Sequence, residues 1–463
     1  MLDKAIDGLK DELIAAVQES VRIPSVAGVP EEGAPFGRNV KLALDHALNV
    51  ASQLGFRVKN VDNMAGYGEW GDGKVIVAIL GHLDVVPEGT GWKYPPFGGE
   101  IQNGIIWGRG VLDDKGPTIG ALFALKAIKD LNISLKRRIR IIFGTNEESG
   151  SQCMARYIQT EELPAAGFTP DAEYPIIYAE KGVLTLTCHF PFSGDGPVKI
   201  VSFKGGVAPN VVAATAQVVI RASAEERRRI ASIVDAWNGP ERSGFKIVED
   251  GVKGTITIEV QGVPAHGSTP HLGVNAILCL VDILSSMDLM KSQKQFIHAL
   301  SSLIGMETDG TSLGIAMNDD ISGALTLCLG TIDGNESDVH FTLNIRYPVT
   351  KKDSLVLDPL REALEKEGIA VTDVRHAAPL YMDPESPLIR TLQKVYKEQT
   401  GLNPDLLAIG GGTYAKSVPN VVAFGPIFPG QKYTIHEENE CWSIEDLMKN
   451  VKIMAHAMVE LAR

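Results

Sequence analysis

Residues 75–87 read Val-Ile-Val-Ala-Ile-Leu-Gly-His-Leu-Asp-Val-Val-Pro. Six apolar residues run unbroken from Val75 to Leu80 and stop at Gly81. A strand with one wet face would alternate. A continuous run suits a strand buried on both faces, as in the sheet of an α/β domain. On either side the period is helical. Ile6, Leu9, Leu13 and Val17 predict an amphipathic helix over 3–20. Val40, Leu44, Ala47, Leu48 and Ala51 predict another over 39–54. Gly116-Pro117 opens a third, running to about Asp130, with proline in its first turn. A second short strand, Arg138 to Phe143, follows. Strands alternating with helices define an open α/β sheet, whose ligands gather at the carboxyl ends of strands. His82 and Glu147 both fall just past a predicted strand.

The pattern changes after about residue 183. Leu184–Phe190, Thr255–Val260 and Phe341–Ile345 alternate apolar and polar residues, as half-exposed antiparallel strands do. Helical stretches over 275–287 and 355–366 lie between them. After about residue 378 the α/β pattern resumes, with a helix over 387–400, a strand over 421–424 and a last helix capped by Ser443 and Asp446. The expected organisation is therefore an insertion. Residues 1–183 and 378–463 form a mixed-sheet catalytic domain with helices on both faces. Residues 184–377 form an α+β lid.

The chain has 463 residues and a net charge of −13, with 44% hydrophobic and 22% charged residues. This is globular composition, long enough for more than one core. The acidic balance argues against nucleic-acid and anionic-membrane partners, which require a basic face. Cys153, Cys188, Cys279, Cys328 and Cys441 are odd in number and form no C-x-x-C, so reduced, buried thiols are expected. The first eighteen residues carry Asp3, Asp7, Asp11 and Glu12 and lack the apolar core of a secretion signal. A cytoplasmic protein is expected.

Four clusters carry chemistry. His82 and Asp84 project to one side of an extended segment, where a carboxylate can fix an imidazole as a metal ligand; capping a turn is the plainer reading. Asp113-Asp114 sits between glycines at a helix start, suited to a carboxylate bridging two cations or to simple dipole pairing. Glu147-Glu148 follows a buried strand, where one acid could ligate and the other act as general base. His436 lies in a run of acids, and Asp171 follows Thr169-Pro170. Singly, each is also what a solvated loop or a helix start would carry. Together they supply two imidazoles, one shareable carboxylate and further carboxylates, a set suited to two zinc-like ions roughly 3.5–4 Å apart.

These clusters resemble the zinc-dependent exopeptidase and amidohydrolase family of carboxypeptidase G, aminoacylase, succinyl-diaminopimelate desuccinylase and carnosinase. Within it, nearly the whole chain looks like the PepV-type dipeptidases. The resemblance implies Asp113 as bridging ligand in Asp-x-Lys, with a cis peptide following it. It implies His82 and Asp171 on one ion, Glu148 and His436 on the other, Glu147 as general base, and Asp84 orienting His82. His266, in Gly262-Val263-Pro264-Ala265-His266-Gly267-Ser268, matches a histidine that stabilises the tetrahedral intermediate. Asn210, Arg346, Gly411 and Gly412 match positions that bind substrate; a plain strand arginine is the other reading of Arg346. The metals implied are two divalent ions, zinc first, with manganese or cobalt as alternatives. The partners implied are dipeptides, and the long lid implies a monomer. Xaa-His and β-alanyl dipeptides stand among the candidate substrates. Hydrolysis of N-acyl amino acids is the alternative reaction.

Three further motifs point elsewhere. Gly310-Thr311-Ser312-Leu313-Gly314 fits G-x-S-x-G but lacks a strand before it and a helix after it. Gly410-Gly411-Gly412-Thr413 lacks the lysine of a phosphate loop, and Gly108-x-Gly110 lacks a third glycine.

Overall fold

The run at 75–80 forms the strand Ile76–His82, buried along its whole length. It has a parallel neighbour on each side, Arg138–Gly144 and Ala166–Thr169. The computed structural model describes residues 1–250 and 253–463. The chain divides into two compact units. The first comprises Met1–Tyr178, Met382–Ala408 and Gly412–Arg463; the second comprises Ala179–Tyr381 and Ile409–Gly411.

The first unit is built on a mixed sheet ordered Arg57–Val61, Ala65–Trp70, Arg138–Gly144, Ile76–His82, Ala166–Thr169, Val421–Ala423. The last four of these strands are mutually parallel, and Ala65–Trp70 runs antiparallel to both of its neighbours. The helix Lys115–Asp130 is almost wholly buried. It packs against the strand Ile76–His82 and the helices Lys10–Val21 and Ile444–Ala462. Gly120 allows that approach, since a Cβ there would lie 2.9 Å from Val451. The strand Ala166–Thr169 and the segment 421–423 pair in parallel although some 250 residues apart in sequence, so the C-terminal segment extends the sheet. The helix expected over 3–20 is two helices, Leu2–Gly8 and Lys10–Val21, broken at Leu9. The apolar period runs through Leu9, so periodicity could not reveal the break. Ser443 caps the last helix through the Asp446 amide, at 3.0 Å.

The second unit is α+β. Eight strands form one antiparallel sheet in the order Gly244–Asp250, Thr255–Gln261, Thr215–Ala222, Val198–Gly205, Thr326–Asn335, Asp338–Tyr347, Gly182–Pro191, Ala370–Ala377. Burial alternates along Gly182–Pro191, as the sequence pattern requires of a sheet with one covered face. The helices Ala276–Ser285 and Lys291–Leu303 contribute Ile277, Leu280, Phe296 and Leu300 to its core. All five cysteines are free thiols; four are buried and Cys441 is half-buried. Among the described residues no helix is long and apolar enough to cross a membrane.

Candidate metal centre and active site

Three neighbouring parallel strands deliver three of the predicted groups at their carboxyl ends. His82 is the last residue of Ile76–His82. Glu147 and Glu148 lie just after Arg138–Gly144, and Asp171 just after Ala166–Thr169. Two irregular segments add the rest. Asp113 precedes the helix Lys115–Asp130, with a cis peptide between Asp113 and Asp114. His436 sits in the loop before Cys441–Ser443, at φ 63°.

The five residues form two overlapping groups. His82, Asp113 and Asp171 offer ligand atoms within 4.8 Å of one another, and so do Asp113, Glu148 and His436. Asp113 belongs to both. Its Oδ1 is 2.8 Å from His82 Nε2, and its Oδ2 is 3.0 Å from His436 Nε2. His82 Nε2 is 3.7 Å from Asp171 Oδ1, and His436 Nε2 is 3.1 Å from Glu148 Oε1.

The electrostatics call for positive charge. Asp113, Glu147, Glu148 and Asp171 converge on two imidazoles. Burial, with the Asp171 carboxylate, holds Glu147 well above the usual carboxylate range. Burial, with Asp113, raises Glu148. Burial pushes Asp171 up to about 7 although His82 opposes it. For Asp113, hydrogen bonds from His436 and His82 outweigh burial and hold the carboxyl below its ordinary value. For His436, burial is outweighed by hydrogen bonds to Asp113 and Glu148, which raise it to about 11. Two imidazoles with a carboxylate excess, one carboxylate being shared, fit a pair of divalent cations. Those ions would meet the demand for charge and take the imidazoles as neutral ligands.

Supporting contacts fix the groups. His82 Nδ1 donates to the backbone carbonyl of Asp84 at 2.8 Å, while the Asp84 carboxylate is 3.5 Å away. The expected carboxylate partner is thus largely replaced by the same residue's carbonyl. The Asp84 carboxylate instead accepts from the amides of Glu147 and Glu148, at 3.0 and 3.2 Å. It holds the turn bearing both glutamates. Gly81 is required here. A Cβ would meet Thr118 Oγ1 at 1.9 Å and Asp114 Oδ2 at 2.7 Å. Asp114 Oδ2 accepts from His82 N–H at 3.1 Å. Tyr414 packs edge-on to His82, ring centres 6.2 Å apart, and its hydroxyl lies 3.0 Å from Cys153 Sγ. Its ring occupies the space a side chain at Gly144 would need.

Sequence reasoning missed Glu440. This fully buried carboxylate accepts from the amides of Gly110, Leu112 and Asp113 at 2.9–3.2 Å and from Arg109 at 2.9 Å. Burial and the Asp113 carboxylate push it up to about 6 against those donors. It ties the loop bearing Asp113 to the segment bearing His436. Nothing in Glu437-Glu438-Asn439-Glu440 separates the buried acid from its exposed neighbours.

The second unit gathers the other predicted residues, apart from Gly412, which belongs to the first. Gly267 N–H donates to Asn210 O at 2.7 Å, joining the segments that carry Asn210 and His266. His266 Nδ1 lies 2.6 Å from Ser268 Oγ and accepts from Ser268 N–H at 3.3 Å, which places the proton of a neutral ring on Nε2. Arg346 is buried, unlike a plain surface arginine. It donates to Asn344 Oδ1 at 2.9 Å and Gly410 O at 3.0 Å. Ser312 is no nucleophile elbow: its hydroxyl donates to Glu307 in an exposed turn.

Fold and site together define a hydrolase of the dinuclear metallopeptidase class. Residues 78–460 match peptidase family M20/M25/M40, and the chain belongs to that family. It is 39% identical over 460 residues to "Putative dipeptidase YtjP" of Bacillus subtilis (strain 168), covering 98% of each chain. It is 34% identical to a "Putative dipeptidase" of Staphylococcus epidermidis over 96% of this chain and 94% of that one. The fold is similar to that of the di-peptidase Dug1p from Saccharomyces cerevisiae, with TM-score 0.61, 16% identity and coverage of 100% and 98%. It is also similar to human carnosine dipeptidase 1, with TM-score 0.58, 16% identity and coverage of 100% and 99%.

Proposed function

We propose that this chain is a metal-dependent dipeptidase, acting as a monomer in the cytoplasm on the single peptide bond of its substrates. The observation that carries this reading is the Asp113 carboxylate shared between two histidine-carboxylate groups, with the half-buried Glu147 carboxyl beside them. His82 and Asp171 would hold one ion, and Glu148 and His436 the other. Zinc suits the donors, with manganese or cobalt as substitutes. Bound there, the ions would polarise the scissile carbonyl and acidify a water.

The chain's own groups do the rest. Glu147 takes the proton of the attacking water and passes it to the leaving amine. A carboxyl that belongs to neither ligand group is free for both halves of that transfer. Asp84 holds the Glu147–Glu148 turn and, through its carbonyl, the His82 ring. His266 donates from Nε2 to the developing oxyanion. Arg346 and Asn210, with the backbone of Gly411 and Gly412, grip the substrate carboxylate. A guanidinium fork suits that group, and fixing it sets the scissile bond one residue from the substrate's carboxyl terminus, as in a dipeptide. The relatives described as dipeptidases support this substrate class.

The test is a substrate panel on chelator-stripped protein reloaded with zinc, manganese or cobalt. Free dipeptides, including Xaa-His and β-alanyl dipeptides, are compared with N-acetyl and N-succinyl amino acids. Dipeptides should be cleaved with the higher kcat/KM. Preference for N-acyl amino acids would transfer the chain to the deacylases.

A further inference from the structure

Outside the catalytic residues, one other set of side chains among the described residues has the composition of a metal site. His189 and His340 face each other directly across the strands Gly182–Pro191 and Asp338–Tyr347. Their ring centres are 4.6 Å apart. Asp338, two residues before His340, points to the same face of its strand. Its Oδ2 is 3.7 Å from His189 Nε2. One ligand atom from each of the three residues lies within 4.8 Å of the others. All three belong to the second unit.

We propose that His189, His340 and Asp338 form a third divalent-cation site, for an ion of the zinc, nickel or copper class. Two imidazoles and one carboxylate select such borderline ions over calcium or magnesium, which prefer all-oxygen shells. The register of the ladder fixes the two histidines opposite each other, where cross-strand Cβ atoms stand roughly 5 Å apart. The carboxylate is pre-set. Asn335 Nδ2 donates to Asp338 Oδ1 at 2.7 Å, leaving Oδ2 toward His189. A ligating carboxylate held on its other oxygen is the usual outer-shell arrangement of metal sites. The side chains of His189 and Asp338 are 28% and 34% exposed, so rotation can bring the donors to tetrahedral spacing. His340 also lines a surface hollow of about 270 Å³ with Thr187, Lys204, Asp333 and Thr342, which gives an ion a path from solvent.

An ion held there would clamp the ladder at the end opposite Arg346. His340, Thr342, Asn344 and Arg346 alternate along one face of the same strand. The site would thus stiffen the strand that carries the substrate arginine without touching substrate.

The test counts metal on the full chain. Wild type and a His189→Ala/His340→Ala double variant are loaded with Zn2+, dialysed and analysed for zinc per chain. The double variant should hold one ion fewer, keep its dipeptide turnover, and show a smaller rise in Tm with Zn2+ or Ni2+ than wild type. Equal zinc content in the two proteins overturns the proposal. Should the double variant misfold, anomalous diffraction from Ni2+-soaked wild-type crystals decides: a peak between His189 and His340 supports the site, and its absence removes it. The comparison is a difference between two proteins, so it stands even if the catalytic ions or the dipeptidase reading fail.

Discussion

Glu440 and Arg109 close a buried salt bridge at 2.9 Å, with side chains 0% and 2% exposed. Arg109 belongs to the loop that ends in Asp113, and Glu440 follows His436 by four residues. The pair therefore couples the shared ligand to one of the two histidines. Glu440→Ala would leave a guanidinium and three amides buried without their acceptor. Breaking one side of such a pair typically costs about 3–5 kcal/mol. Chemical denaturation should show that loss, and metal analysis should show fewer ions per chain. Glu440→Gln, which keeps acceptor capacity, should restore part of both. An alanine variant with wild-type metal content would remove Glu440 from the support of the centre.

Glu147→Ala should separate chemistry from metal binding. Glu147 is absent from both ligand groups, yet lies beside Asp171, Glu148 and Asp84. Loss of a general base lowers kcat by roughly 10²–10⁴. Metal content should stay at the wild-type value. Retained turnover would remove Glu147 from proton transfer, and lost metal would make it a ligand.

The sharing of Asp113 predicts unequal effects among ligands. His436→Ala should weaken chiefly the ion held with Glu148, and His82→Ala chiefly the ion held with Asp171. Asp113→Ala should weaken both. Titrating stripped protein with zinc would show one weakened step for each histidine variant and two for the aspartate variant. Chelator should abolish activity, and added zinc, manganese or cobalt should restore it. A single weakened step in Asp113→Ala would show that the carboxylate serves one ion.

What was legible in the sequence follows from where each group sits. His82, Glu147 and Glu148 follow apolar strands, and the carboxyl ends of parallel strands are where such sheets bind ligands. Their positions could be read from hydropathy alone. Asp113 and His436 lie in irregular segments, one just before a cis peptide bond and the other at positive φ. No periodicity marks such places; the clusters that hold them stood out as residues, but family resemblance alone assigned their roles. Glu440 was invisible because its burial depends on amides from a loop more than three hundred residues upstream. The break at Leu9 was invisible because a half-buried leucine fits the helical pattern as well as a continuous helix does.

Arg346→Lys should leave metal content unchanged and impair substrate binding. Burial draws the guanidinium down to about 10, so it stays cationic at neutral pH. Hydrogen bonds to Asn344 and Gly410 fix its plane, which a lysine ammonium cannot reproduce. Losing a charge-assisted pair costs about 1.5–3 kcal/mol, or roughly ten- to hundredfold in kcat/KM. The loss should fall mainly in KM for dipeptides and be small for their C-terminal amides. An equal loss for both would detach Arg346 from the substrate carboxylate.

Asp319, which belongs to none of the candidate metal groups, gives a pH dependence of its own. Its Oδ1 accepts from the amides of Ile321 and Ser322 and the Ser322 hydroxyl, and its Oδ2 from the amide and hydroxyl of Thr350, at 2.6–3.1 Å. Burial alone would raise its pKa, but the bonds from Ser322 and Thr350 outweigh it and draw it to about 2. The folded value lies below the unfolded one of roughly 3.9. The carboxylate therefore stabilises the fold above about pH 4, and that contribution disappears as pH falls through 2. Solvent screens a part-exposed group, so about 1 kcal/mol is expected. Denaturation of wild type and Asp319→Asn at several pH values should show a constant gap from pH 7 to about 4 that narrows toward pH 2. A gap that stays constant down to pH 2 would mean that the carboxylate's charge contributes nothing.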